Sequence, residues 1–536
     1  MDASGTMSDG DRNPAVRVNP VEAMSQRTRV LMFCIMALGQ LIALMDIQIV
    51  AGSLGPIQAG LSAGPDEIAW VQTAYLMAEI VMVPLAAFLA KALSTRWLFT
   101  GSAALFTISS LMCGLAWDID SMILFRTIQG FVGGAMVPTC FAMGYVLFEG
   151  RLRATMTAML GMVSTLGPML GPSLGGWITD VADWRWLFFI NVAPGLLIVT
   201  TLPLFGPIDE ARTSLLRRID WLHVAALAVF LGGLQYVLEE GPRHEWFSDI
   251  RVSTAAWLSV VAAIVFLERC FFAENPVVRL TPFKRPTFVL ACILNLVIGV
   301  GLYSTIYLTP VFLDLVRGYS SMQIGAVVVV SGACMALGAP ISVRLLATID
   351  GRWVIAAGFS LYALFLFLYS NITSNWGFSE FFWPQAVRGI AILFCIMPAI
   401  SMALFGQEGD DLHSASGLFN LMRNLGGAIG IAIVNTQLID FTRLHALRIS
   451  EGLSGAPEKA NAAVQELAAH AARFTPDPLH AQEMATGALV RVIGREAATL
   501  AFADIFHLMA WGFVAVLLIV PFCKTPAMNA SGSLGH

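Results

Sequence analysis

Fourteen stretches of about 20 apolar residues, each long enough to cross a bilayer as a helix, punctuate this chain. They lie near 30–52, 67–90, 97–116, 121–147, 154–178, 185–205, 221–240, 254–272, 286–310, 322–346, 353–370, 381–405, 414–439 and 500–522. In a bilayer a helix satisfies its own backbone N–H and C=O groups, so such segments have one natural home. The expected fold class is an all-α polytopic membrane protein with 14 transmembrane helices. Of the 536 residues, 57 % are hydrophobic and only 12 % charged, against roughly 25 % charged in an average soluble domain. That excludes the string of soluble domains that length alone would suggest. A net charge of −5 carries no nucleic-acid signature. The eight cysteines sit in or beside apolar segments without a C-x-x-C pair, so disulfides and metal sites are not expected.

Cytoplasmic loops of membrane proteins are enriched in Lys and Arg, which tests count and orientation together. With the N-terminus inside, the inner segments hold most of the 31 basic residues: four at the N-terminal edge, then Lys91, Arg96, Arg151, Arg153, Arg212, Arg217, Arg218, Arg269, Arg279, Lys284, Arg285, Arg344, Arg352 and Lys524. The short outer loops hold Arg185, Arg243, Arg251 and Arg317, and the acidic inner loop 406–413 has none. Both termini are therefore expected to be cytoplasmic, and residues 1–28 do not resemble a cleavable signal.

The segment Gly161–Gly176, GMVSTLGPMLGPSLGG, stands out within span 5. Gly167, Gly171 and Gly175 recur every fourth residue on one helical face, and Pro168 and Pro172 form a row beside them. Each proline removes a helical hydrogen bond and bends the helix. The glycines admit a second backbone at close range. A pivot is one reading of this pattern, and tight packing alone is the other. LGGAIG at Leu425–Gly430 in span 13 repeats the glycine spacing of LGPMLG at Leu166–Gly171, and Arg388-Gly389 in span 12 stands where Gln129-Gly130 stands in span 4. Two halves follow: 29–206 and 286–523, each with six helices, with two inserted helices in 207–285 and tails at 1–28 and 524–536. Parallel six-helix halves are one transporter plan, with the binding site between them near the midplane. The two glycine-rich helices are expected to meet along that seam.

These residues resemble the fourteen-helix drug:proton antiporter branch of the major facilitator superfamily, the EmrB- and QacA-type multidrug exporters. The likeness runs from about Leu41 to Pro521. LMDIQIVAGSLGPIQ (Leu44–Gln58) is similar to the branch's first-span signature, with Asp46 as its acid. FRTIQG supplies Arg126, Gln129 and Gly130 of the Arg-x-x-Gln-Gly motif, and Gly161–Gly176 matches the antiporter motif of exporters. WRWLFFINVAPG, DWLHVAALAVFLGGLQYVLEEG and NPVVRLTPFK also look like this branch. One motif departs: the loop after span 2 reads AFLAKALSTRW, with Lys91 where the superfamily usually has Asp. A latch built on an acid at that position is in doubt.

Ionisable side chains within spans are costly and mark pathways or proton relays. Asp46, Glu79 and Arg126 are the candidates for proton coupling; the alternative is a static buried pair. Arg126 and Gln129 share a helical face. By resemblance the cavity-facing spans are 1, 4, 9 and 12, which nominates Gln48, Gln129, Asn295, Tyr303, Tyr307, Gln385 and Arg388 for substrate contact. Trp383 there is either a ligand contact or an interfacial anchor. Glu239, Glu240 and Glu268, at span ends, are expected to be solvated. Arg423 is expected to serve as helix–helix glue or counter-charge, the alternative being direct involvement in transport, and Asp504 with His507 to form a structural pair, the alternative being a proton relay.

The sixty-residue outer loop 440–499 is long for a carrier; within it, Lys459–Phe474 has the spacing of an amphipathic helix. The resemblance implies proton-coupled efflux of small lipophilic compounds from the bacterial inner membrane, energised by the proton gradient with no cofactor. It implies contact with membrane lipids and, in Gram-negative members, with a periplasmic adaptor and an outer-membrane channel. The loop is either the adaptor-docking element or a cap over the outer mouth. A dedicated exporter of one metabolite, lipid or siderophore would carry the same motifs. No Ser-His-Asp arrangement, metal-ligand cluster or phosphate loop suggests an enzyme.

Overall fold

The apolar spans become helices that are hydrophobic on nearly every face, the pattern of segments surrounded by lipid or by other helices. The computed structural model describes residues 24–206, 208–273, 276–407, 409–454, 457–473 and 477–523. Most of the expected tails, 1–23 and 524–536, thus lies outside the described residues. The first half comprises α1 (Gln26–Ala51), α2 (Leu54–Leu61), α3 (Pro65–Leu93), α4 (Thr95–Gly114), α5 (Ile119–Gly133), α6 (Met136–Leu147), α7 (Gly150–Val181), α8 (Trp186–Phe189) and α9 (Val192–Thr201). The inserted pair is α10 (Trp221–Glu240) and α11 (Ile250–Phe272). The second half holds α12 (Pro286–Leu315), α13 (Ser321–Thr348), α14 (Gly351–Tyr369), α15 (Phe378–Leu404), α16 (Gly409–Ser454), α17 (Pro457–Ala471) and α18 (Pro478–Val516). Span 4 is the α5–α6 unit and span 6 the α8–α9 unit. Thirteen spans in the described residues are long and apolar enough to cross a membrane. The fourteenth, α7, is 32 residues long but diluted by glycine and proline.

Caps and prolines shape the helix ends and bends. Ser25 accepts from the Thr28 N–H at 3.2 Å to open α1, and Asp118 accepts from the Ser121 N–H at 2.8 Å to open α5. Pro84, Pro168, Pro172, Pro310, Pro340, Pro384 and Pro398 lie inside helices, where each removes a backbone donor. The α5–α6 unit and α15 are the most enclosed spans, 83 % buried, whereas α11 is 22 % buried and faces outward.

The halves repeat their packing. α7 lies along α1, and α16 lies along α12; across the seam α7 meets α13, and α16 meets α3. This corrects the expectation that the two glycine-rich helices meet each other. Each glycine row faces the first helix of its own half: a Cβ on Gly171 would collide with Gln48 on α1, and one on Gly430 would come within 2.9 Å of the Val300 backbone on α12. The seam is touched by other edges of α7, where Gly161 faces Ile396 and Gly176 faces Ser321. A glycine row announces a close neighbour without saying which one.

The segment 440–499 is not a loop in the usual sense. Helix α16 runs for 46 residues; at about 1.5 Å per residue that is more than twice a hydrocarbon core of about 30 Å. It projects beyond the bundle beside the 39-residue α18, and α17 packs against α18. The amphipathic helix expected at Lys459–Phe474 is α17, Pro457–Ala471, while Phe474 lies outside the described residues.

Candidate functional site

Asp46 is fully enclosed, as is Arg126, and Arg126 Nη1 donates to Asp46 Oδ2 at 2.5 Å. The carboxylate has more partners than the sequence suggested. Gln129 Nε2 donates to Oδ1 at 3.2 Å and Asn191 Nδ2 to the same oxygen at 2.7 Å. Arg126 also donates to Gln129 Oε1 at 2.9 Å and to the Val71 carbonyl at 3.2 Å, with its guanidinium carbon 4.1 Å from the Tyr75 ring centre. Asn191 Nδ2 reaches on to Ser110 Oγ at 3.0 Å. Five elements therefore meet at one buried charge pair: α1, α3, α4, α5 and the α8–α9 junction. Buried charges persist only when paired and hydrogen-bonded in this way. Gly130 makes the meeting possible, because a Cβ there would collide with the Tyr75 carbonyl and push α5 off α3.

Beside this cluster lies a cavity of about 280 Å³ between the halves, lined by parts of α1, α3, α10, α12 and α16. Ile47 and Gln48, the next residues after Asp46, form one wall, and Gln72, next to Val71, forms another. Of the nominated substrate contacts, Gln48, Tyr303 and Tyr307 line it. Glu79 lines it too, 6 % exposed. The remaining nominees point elsewhere. Gln129 belongs to the Asp46 cluster, and Asn295 donates to the Phe419 carbonyl at 2.6 Å. Gln385 donates to the Tyr369 hydroxyl at 2.7 Å, and Arg388 donates to Gln385 Oε1 at 3.3 Å. All three of these stay within their own half. Trp383 is 71 % exposed, as an interfacial anchor would be.

Of the carboxylates expected in solvent, one lines the cavity and another is buried. Glu239 lines the cavity with Gln235 and Arg243. Glu240 is buried, accepting from Thr73 Oγ1 at 3.2 Å with His244 Nδ1 3.6 Å away. The inserted α10 is thus a cavity wall, which its position outside the two repeats concealed. Asp504 and His507 are not a pair: Asp504 meets His445 of α16 at 2.8 Å, and His507 accepts from Trp511 at 3.1 Å. At the motif that departs after span 2, Asp209 takes the Thr95 N–H at 2.9 Å and its hydroxyl at 2.7 Å. An acid does stand at the start of α4, but it arrives from the segment after α9. Arg96 donates to the Phe205 carbonyl on that same segment. Among the described residues no cluster of His, Cys, Asp or Glu could hold a metal ion.

A charge pair buried in the first half, beside an amide- and aromatic-lined cavity between two repeated six-helix units, describes a carrier, and the chain's sequence matches the Major Facilitator Superfamily model over residues 36–431. The chain belongs to the major facilitator superfamily. Within it, the chain is 38 % identical to the colistin resistance protein EmrB of Acinetobacter baumannii over 89 % of this chain and 93 % of that one. It is 30 % identical to the multidrug export protein EmrB of Escherichia coli over 92 % of this chain and 94 % of that one. In structure it resembles an inward-facing, unoccupied bacterial homologue of the human lysosomal transporter Spinster, with a TM-score of 0.54, covering 94 % of this chain and 99 % of the other. At 15 % identity that likeness is one of superfamily fold. This member is EmrB-type.

Proposed function

We propose that this protein exports lipophilic drugs or toxic compounds across the bacterial inner membrane in exchange for protons, by alternating access, with both termini cytoplasmic. The observation that carries this reading is the enclosed Asp46–Arg126–Gln129–Asn191 network directly beside the inter-half cavity, which holds a second acid, Glu79. Two amide oxygens of the cavity wall, Gln72 Oε1 and Asn424 Oδ1, have no hydrogen-bond partner among the described residues. A lipophile bearing a polar group would satisfy them while its body rests on Tyr303 and Tyr307.

In the proposed cycle, substrate from the cytoplasm or inner leaflet displaces a proton from Asp46 or Glu79, and outward opening exchanges the two. Coupling needs protonation and substrate to favour opposite conformations. One inward proton releases about 2.3 kcal/mol per 100 mV of membrane potential. In the state described here the inner ends of the halves are joined by Ser416 donating to the Pro138 carbonyl at 2.8 Å and Tyr145 donating to the Ile400 carbonyl at 3.4 Å. These are the contacts that inward opening would have to break. The projecting α16–α17–α18 unit is the surface we assign to a periplasmic adaptor, itself joined to an outer-membrane channel.

Drug-driven proton release from proteoliposomes tests the reading. Substrate addition is expected to release protons in the wild type, with altered stoichiometry and pH dependence in Asp46→Asn and Glu79→Gln. Unchanged stoichiometry and pH dependence in both variants would overturn the assignment.

A further inference from the structure

A second and larger cavity, about 770 Å³, lies outside the proposed translocation site. Its walls come from α10 and α11, the connecting segment 276–284, and the early part of α16. The side chains that fill its surface are apolar, among them Phe230, Phe266, Leu421 and Met422. Leu267 and Phe271 also line it, and both are exposed on the outward face of α11, at 46 and 70 %. The cavity therefore opens sideways, toward lipid. The charged residues among its described lining are Arg279 and Lys284, both cations, and Lys284 is exposed. A volume of this size falls within the roughly 300–1,000 Å³ of small-molecule sites. An apolar slot open to the bilayer with cations at one end complements an acyl chain carrying an anionic head.

We infer that this groove is a binding site for an anionic phospholipid of the cytoplasmic leaflet, with an acyl chain between α10, α11 and α16 and the headgroup phosphate at Arg279 and Lys284. The inference rests on the orientation proposed above, which puts the 276–284 segment on the cytoplasmic side, where the membrane surface is negatively charged. The consequence reaches the carrier seam. Leu418, one residue beyond Gly417, lines the groove, and Gly417 packs against the Val83 carbonyl of α3. A chain in the groove would thus brace α16 where it crosses to the other half.

Native mass spectrometry of the detergent-purified full chain, with phosphatidylglycerol or phosphatidylethanolamine added, reads the site directly. The expected result is preferential retention of phosphatidylglycerol, weakened about fivefold for each cation removed in Lys284→Gln and Arg279→Gln, and lost in Leu421→Trp, which fills the slot. Equal retention of the two lipids, or retention unchanged in all three variants, would overturn it. Stoichiometric displacement of the lipid by a transported lipophile would also overturn it, making the groove a substrate site. Lys284 is exposed, so Lys284→Gln cannot fail merely by unfolding the core. Labelling of Lys284→Cys by an impermeant maleimide separates the two readings. Labelling from outside would sink the orientation, whereas labelling from inside without lipid preference would sink the site alone.

Discussion

The two halves carry the same device with its polar residues exchanged. In α5 the order is Arg126-Thr127-Ile128-Gln129-Gly130, and in α15 it is Gln385-Ala386-Val387-Arg388-Gly389. The glycine does the same work in both: a Cβ would strike the carbonyl of Tyr75 in one and of Ser331 in the other. The arginines do not. Arg126 has a carboxylate at 2.5 Å, with Gln129 and Asn191 holding the far oxygen. Arg388 is 2 % exposed, takes part in no ion pair among the described residues, and keeps Gln385 at 3.3 Å and the Phe365 ring at 5.8 Å. Repeated packing therefore does not imply repeated chemistry. The frame is common to both halves, but the carboxylate that pairs with Arg126 has no counterpart beside Arg388 among the described residues.

The sharpest break of this comparison is to remove each arginine in turn. Arg126→Gln leaves Asp46 buried without its cation, which costs about 3–5 kcal/mol; we expect a large fall in thermal stability in detergent and no measurable efflux. A variant that keeps its melting temperature and still exports would show that the pair is dispensable.

The glycine rows come next in size, because they test the feature the halves share. Gly171→Ala and Gly430→Ala each add one methyl against a neighbouring backbone, and overpacking of that kind costs about 1–3 kcal/mol. Comparable losses of melting temperature in the two variants are expected, since α7 on α1 and α16 on α12 are equivalent contacts. A loss confined to Gly171→Ala, with coupling impaired and stability intact, would favour the reading of α7 as a pivot in its own right.

Much of this was legible in residues and spacing, and the failures share a cause. The spans and the frame of two halves follow from helix period and hydropathy, while Asp46 and Arg126 were singled out by the price of burying charge together with the motifs of the family resemblance. Asn191 was missed because a neutral amide at an aromatic turn carries no cost that marks it out. Glu240 was misplaced because a carboxylate at a span end looks solvated until a neighbouring helix covers it. The segment 440–499 reads as a loop by hydropathy, since its alanine-rich, charged composition makes good helix that is not membrane helix. Asn295 lies on α12, a lining helix, but turns toward Phe419 in its own half, a rotation that composition does not report; Gln385 and Arg388 lie on α15, which contributes no described residue to the cavity wall.

Arg388→Gln should do far less than its counterpart. It removes a buried charge that has no carboxylate to strand among the described residues, so stability is expected to stay within about 1 kcal/mol or to rise, with efflux within roughly twofold of wild type. A collapse of efflux at unchanged stability would place Arg388 in the transport path despite its distance from the cavity lining.

The finest test is to give the second half what it lacks. Gln385→Glu sets a carboxylate where an amide oxygen now accepts from Arg388 at 3.3 Å, and the Tyr369 hydroxyl, now 2.7 Å from Nε2, can turn to donate to it. The substitution changes neither the volume of the side chain nor its reach, so the new pair is expected to form with a stability change within about 1 kcal/mol. If coupling belongs to the first half because its acid adjoins the cavity, the proton-to-substrate ratio measured in proteoliposomes stays at the wild-type value. A raised ratio would mean that an acid beside either arginine suffices, and that the frame itself, rather than the place of Asp46 next to the cavity wall, is what converts a buried carboxylate into a coupling site.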